Sequence, residues 1–326
     1  MRQAWRDRLG AAGTVLVALT FVNPALAKTP KVVVTLKPVH ALVAGLMQGI
    51  DTPVLIVDGA ASPHTFTLKP SSGRAIQEAD IFIRVSPAVE PFTNKVVEAL
   101  PKSVALITLS ELPGITLLDQ RTGGTFEPHV HEHGHDGPAG HDDDDDDAHG
   151  AKDGHIWLDP ANATAIVKGV AEVLAAKSPE NADRLKANAA ALAARIDALD
   201  TEIAASLAPV RNKPFIVFHD ATQYFERHFG LKAAGSITVS PEVSPSVKRL
   251  SAVRKKITQL GAACVFSEPG FQPNLVSAVT EGTTARAGTL DPEGTTLSPG
   301  PDLYFDLMTA LSQNLRGCLG EGRASP

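Results

Sequence analysis

The chain has little cysteine, few aromatic residues, no excess of positive charge and only one long apolar run. Two cysteines in 326 residues are too few for a small disulfide-framework fold. Lys and Arg number 30 against 36 Asp and Glu, a net charge of −6, which leaves no basic footprint for nucleic acid. With no second apolar run, no polytopic membrane protein is indicated. Aromatic residues are only 5% of the chain, yet 43% is hydrophobic. That is ample for about two domains of roughly 150 residues, each with a buried core.

The one apolar run is N-terminal. Arg2, Arg6 and Arg8 precede Leu9 to Val22, a stretch short of the ~20 residues of a comfortable membrane span. Ala25-Leu26-Ala27 follows as a small-x-small cleavage signal. Residues 1–27 therefore read as a secretory signal peptide cleaved after Ala27; an uncleaved anchor is the competing reading.

Charge is unevenly spread. Thr125 to Asp153 holds ten acids and one lysine. Within it, His129, His131, His133, His135, His141 and His149 are interspersed with Gly and with the run Asp142 to Asp147. Almost nothing there is apolar and like charges repel, so residues 125–153 are expected to form a disordered loop.

Short apolar runs alternate with helical patterns on both sides of this insert. Lys31–Leu36, Pro53–Val57, Asp80–Val85 and Val104–Leu109 read as buried parallel strands. Pro38–Gln48, Ser71–Glu78 and Glu90–Leu100 read as the helices between them. After the insert comes one helix from about Asn162 to Ala176, then a second from Pro179 to Ala208. In the second, Leu185, Ala189, Leu192, Ile196, Leu199, Ile203 and Leu207 form one apolar stripe. The β/α pattern then resumes, with strands at Pro214–Phe218, Leu231–Ile237, Ala262–Ser267 and Thr284–Leu290. Helices fall at Ala221–Phe229, Ser246–Leu260, Pro273–Glu281 and Asp302–Gly317. The expected fold is α/β: two similar lobes, each with a four-stranded, mainly parallel sheet, joined by a long rigid helix. The expected divisions are an N-terminal lobe over 28–160, a helical region over 161–210 and a C-terminal lobe over 211–326.

Open α/β sheets bind ligands beyond the carboxyl ends of their strands. His64 follows the second strand, His219 directly follows Phe215–Phe218, and Asp291 follows the last strand; His155 sits in Gly154-His155-Ile156-Trp157-Leu158-Asp159-Pro160. Their wide separations match no zinc-finger spacing. From spacing alone, a shared metal site and ordinary polar loop residues both stay open. His40 and His228 read as structural, and Glu268 as a group that could hydrogen-bond a ligand imidazole.

Several stretches carry a resemblance: ASPHTFTLKPS (61–71), GHIWLDP (154–160), FIVFHDATQYF (215–225), VFSEPGF (265–271) and the His/Asp-rich insert. In this order they resemble the periplasmic zinc-binding proteins of ABC importers, across the whole mature chain. The resemblance implies one Zn²⁺ in a cleft between two lobes, with His64, His155 and His219 as ligands. It implies a periplasmic location and, as partners, an inner-membrane ABC permease and its ATPase. Manganese-type relatives place a carboxylate where this chain has His219. Zinc-type relatives often carry a glutamate just before the first ligand; Pro63 stands there, which leaves water or Asp291 as the fourth ligand.

The donor chemistry agrees. Three neutral imidazoles suit Zn²⁺ rather than Ca²⁺ or Mg²⁺, and protons should compete below about pH 6. The six insert histidines are expected to form a weak secondary metal-binding loop, with a solvated linker of no specific role as the other reading. In an oxidising compartment Cys264 and Cys318 are expected to pair as one disulfide. The leading function is a monomeric zinc receptor without catalytic activity. A zinc-dependent hydrolase or lyase, with water at an open fourth position, is an alternative, as is a manganese- or iron-type receptor.

Overall fold

The computed structural model describes residues 29–59, 61–121, 126, 151–238, 244–271 and 273–320. The signal peptide expected over residues 1–27 and the insert histidines from His129 to His149 lie outside the described residues. Among those described, no helix is long and apolar enough to cross a membrane.

The first lobe holds β1 (Val32–Val34), β2 (Val54–Leu55), β3 (Ile81–Arg84) and β4 (Ala105–Thr108), with α1 (Lys37–Leu46), α2 (Pro70–Gln77) and α3 (Asn94–Glu98). Next come the short strands β5 (Leu118–Asp119) and β6 (Lys152–Asp153), then α4 (Pro160–Lys177) and α5 (Ala182–Leu207). The second lobe holds β7 (Phe215–Val217), β8 (Ala233–Ser236), β9 (Cys264–Ser267) and β10 (Arg286–Thr289). Its helices are α6 (Gln223–Phe229), α7 (Val247–Leu260), α8 (Pro273–Thr280) and α9 (Leu303–Gly320).

The two main sheets are ordered β2-β1-β3-β4 and β10-β9-β7-β8, and every pair within them is parallel. Counted from its own first strand, each lobe has the order second, first, third, fourth. The lobes thus share a topology as well as a composition. In the second sheet the pleat divides the core: Phe215, Val217 and Phe266 face the main core, while Ile216, Phe218 and Val265 face a smaller one with Val253, Ile257 and Val276.

The main core is continuous through both lobes and α5. The stripe residues Leu185, Leu192, Ile196, Leu199, Ile203 and Leu207 are all buried. At 26 residues the helix is roughly 39 Å long, and 3-10 turns at Pro179–Asn181 and Ala208–Val210 extend it at both ends. Gly45 lets α1 approach closely, since a Cβ there would lie 2.9 Å from Leu192 Cδ2. Local signals set the helix ends. Asp159 caps α4 by accepting from the Ala161 N–H, and Ser246 caps α7 by accepting from the Arg249 N–H. Gly230 and Gly261 close α6 and α7 in the left-handed region.

Two details differ from expectation. The helix expected over Glu90–Leu100 is reduced to a 3-10 turn at Pro91–Thr93 followed by α3. Glu90 turns back to accept from the N–H groups of Val85 and Ser86 at 2.6 and 3.1 Å, closing the end of β3 rather than opening a helix. The antiparallel ribbon β5–β6 was not expected; it pairs Leu118 with Asp153 and Asp119 with Lys152.

Candidate metal centre

The three histidines come from three separate connections. His64 lies in the turn following β2, His155 just after β6, and His219 just after β7 at the carboxyl edge of the second sheet. Gly154 permits the entry to His155, because a Cβ there would fall 2.3 Å from Val89 Cγ2 and 2.8 Å from Ser86 Oγ. The imidazole rings meet with centroids 5.4 to 5.9 Å apart. One nitrogen from each lies within 4.8 Å of the others. A tetrahedral Zn²⁺ with bonds of 2.0–2.1 Å needs nitrogens about 3.4 Å apart, a spacing that falls inside this limit. Among the described residues this is the cluster of three or more His, Cys, Asp or Glu able to hold a metal ion.

Two of the three clustered imidazoles are aimed by carboxylates in the same way, one in each lobe. Asp153 accepts from the main-chain N–H of His155 at 3.0 Å and lies 2.7 Å from its Nδ1. Glu268 accepts from the N–H of His219 at 3.1 Å and lies 2.7 Å from its Nδ1. Both carboxylates are buried. With Nδ1 committed, Nε2 is the atom each ring has free to offer a metal, and the Nε2 atoms of His155 and His219 are buried without a hydrogen-bond partner among the described residues. Such an atom is costly unless a further partner arrives, and a metal ion supplies one. The carboxylate–histidine pairing also fixes tautomer and ring orientation and raises ligand basicity.

The electrostatics are uneven. Burial, with the nearby His155 and His219, pushes His64 down to about 2. Burial acts on His219 in the same direction, but the charge and hydrogen bond of Glu268, aided by Glu293 and Asp220, outweigh it and raise His219 to about 9.

A cavity of about 350 Å³ opens beside the cluster, lined by all three histidines together with Asp153, Arg121 and Asp220. Asp291 is not brought into the cluster. Its Oδ1 accepts from the Thr295 N–H and its Oδ2 from the Thr296 N–H and hydroxyl, so it closes the loop after β10 and lines a different cavity. Glu268 fills the role considered for it. Asp153 was missed; its one signal in the sequence is its place two residues before His155. The structural readings of His40 and His228 stand: His40 Nε2 meets the Pro53 carbonyl, and His228 lies between Asp159 and Asp200. The pair Cys264–Cys318 forms a disulfide, joining β9 to α9 with Cα atoms 6.2 Å apart.

Residues 32–318 match the family described as ZnuA, zinc-uptake complex component A, periplasmic. The chain belongs to this family. Among curated relatives, the high-affinity zinc uptake system protein ZnuA of Brucella suis is 45% identical over 308 residues, covering 89% of this chain and 92% of that protein. The protein of the same description from Paracoccus denitrificans is 39% identical, covering 92% and 95%. A crystal structure of ZnuA has a TM-score of 0.72 at 23% identity, covering 89% of this chain and 99% of that one. A nickel complex of the binding protein FpvC from P. aeruginosa reaches 0.73 at 17% identity, covering 92% and 100%. These structures share the fold: two lobes on a long connecting helix.

Proposed function

We propose that this protein is a periplasmic zinc receptor, exported through its N-terminal segment, that captures Zn²⁺ and presents it to an inner-membrane ABC permease and its ATPase. Zinc is the cargo. The observation that carries this reading is the convergence of His64, His155 and His219 from both lobes, two of them aimed by buried carboxylates. An all-nitrogen protein shell favours Zn²⁺ over harder cations. The high-affinity zinc uptake function named for the relatives supports the same cargo.

Water is the fourth ligand, because Asp291 is engaged by Thr295 and Thr296 and Pro63 offers no donor. The protein acts as a receptor and not as a hydrolase. Asp153 and Asp220, the carboxylates of the cavity, are already engaged, Asp153 with His155 and Asp220 with Arg121. Neither is left to act as a general base.

Metal analysis of protein recovered from the periplasm, with calorimetric zinc titration and a hydrolase screen, tests the proposal. One tight zinc equivalent with no turnover is expected. Tight binding of manganese but not zinc, or esterase activity lost with His155→Ala, overturns it.

A further inference from the structure

The connection around His219 grips the segment that precedes His155. Tyr224, on α6, is buried at 1% exposure. Its hydroxyl donates to the Asp153 carbonyl at 2.7 Å and accepts from the Leu118 N–H at 3.0 Å. Leu118 and Asp153 are register partners in the β5–β6 ribbon, so one hydroxyl from the second lobe ties both strands at a single rung. Nearby, Gln223 Nε2 donates to the Asp119 carbonyl at 3.2 Å. Arg121, directly beyond β5, makes a forked ion pair with Asp220 and Glu226.

The ribbon needs such support. Each strand has two residues, far fewer than an independent hairpin requires. Yet this ribbon carries Asp153, the residue that aims His155. The same loop and helix that carry His219 thus hold the orienting carboxylate of a ligand in the other lobe.

We infer that Tyr224 is a positioning residue for zinc: through Asp153 it sets the coordination geometry of His155, coupling the two lobes at the metal. The inference rests on the zinc-site reading above. The Tyr224 hydroxyl bonds to the ribbon's main chain, so its effect is transmitted through the ribbon. A hydroxyl–carbonyl bond in a buried place is directional. Losing it frees the Asp153 backbone and leaves the Leu118 N–H and Asp153 carbonyl to find other partners.

Tyr224→Phe removes the hydroxyl and keeps the ring. Tyr304→Phe is the control: Tyr304 is equally buried, and its hydroxyl has no hydrogen-bond partner among the described residues. In wild-type protein and both variants we would measure zinc affinity and dissociation rate, the Co²⁺ d–d spectrum, thermal stability of the zinc-free form, and hydrogen exchange at the Leu118 amide. Tyr224→Phe is expected to weaken zinc about tenfold, mostly through faster dissociation. It should also alter the Co²⁺ spectrum and speed Leu118 exchange, while Tyr304→Phe leaves zinc affinity and spectrum unchanged. Wild-type zinc affinity and Co²⁺ spectrum in Tyr224→Phe overturn the inference. So does an affinity loss that Tyr304→Phe shares, since that is a packing effect. If wild-type protein itself fails to bind zinc, the proposed function fails instead. Leu118 exchange in the zinc-free protein then decides the clasp: unchanged exchange in Tyr224→Phe overturns it.

Discussion

Asp153 accepts twice from His155, from its main-chain N–H at 3.0 Å and at its ring Nδ1 at 2.7 Å. Two bonds to one residue two positions along the chain leave the imidazole little freedom. Asp153→Asn keeps the size of the side chain and removes the charge that makes His155 a stronger donor to metal. Zinc affinity is expected to fall by about 10- to 100-fold, with the fold retained. Competition against a chelating dye measures it.

The three proposed ligands make a sharper test. Alanine at His64, His155 or His219 removes one of three protein donors, and each change should cost at least about tenfold in affinity, on the order of 1.4 kcal/mol. Asp291→Ala should leave zinc binding near wild type, because that carboxylate serves the loop after β10. Wild-type affinity in all three histidine variants, or a large loss in Asp291→Ala, would show that the site is built otherwise. Calorimetric titration reads both outcomes.

The α/β architecture was legible because its signals are long. Continuous apolar runs such as Lys31–Leu36 mark strands covered on both faces, and the Leu185–Leu207 stripe repeats over many turns. The histidines were legible because His219 ends a strand and because the surrounding motifs resemble a known family. What escaped is short or tertiary. β5 and β6 have two residues each and are held by Tyr224, more than a hundred residues from Leu118. Glu90 looked like part of a helix until its carboxylate was seen bonded to Val85 and Ser86. Asp291 met the same strand-end criterion as His219, and nothing local revealed that Thr295 and Thr296 engage it. Asp153 read as one more acid at the end of an acidic insert.

Cys264–Cys318 closes a loop with a separation of 54 residues, worth roughly 4 kcal/mol on the chain-entropy account. Replacing both cysteines with serine should lower the melting temperature by about 6 °C for a protein of this size. The single tight zinc equivalent should remain, since the disulfide ties β9 to α9, away from the three-histidine cluster. Calorimetric scanning and a zinc titration of the same variant check the two halves.

Zinc binding should release protons in a pattern set by His219. In the zinc-free protein its imidazole titrates near 9, whereas His64 titrates near 2. At pH 7.5 His219 therefore carries a proton that Zn²⁺ must displace, and His64 carries none. About one proton per zinc should leave at that pH, and the number should fall towards zero as pH rises through 9. Affinity should accordingly keep rising with pH up to about 9 rather than levelling off near 6.5. Titration in buffers of different ionisation enthalpy counts the protons directly. No release at pH 7.5 would mean that His219 is already neutral beside Glu268.

The insert offers six further histidines, from His129 to His149, and the run Asp142 to Asp147. None is needed to complete the three-histidine cluster, whose members belong to the folded lobes. In the cleft, Asp153 and Glu268 fix two ligand rings before metal arrives, so little ordering cost remains on binding. Every residue that a polar, acid-rich sequence fixes around an ion costs roughly 1–2 kcal/mol. Zinc sites should therefore fall into one tight class in the cleft and weaker classes in the insert. The weak classes should fade with added salt, because exposed charges are screened within about 10 Å at 0.1 M. Deleting residues 129–149 should abolish the weak classes and leave the tight one nearly unchanged. Calorimetric titration of that variant at low and moderate salt is the measurement. Loss of the tight class from a variant that still folds would mean that the insert donates a ligand to the cleft.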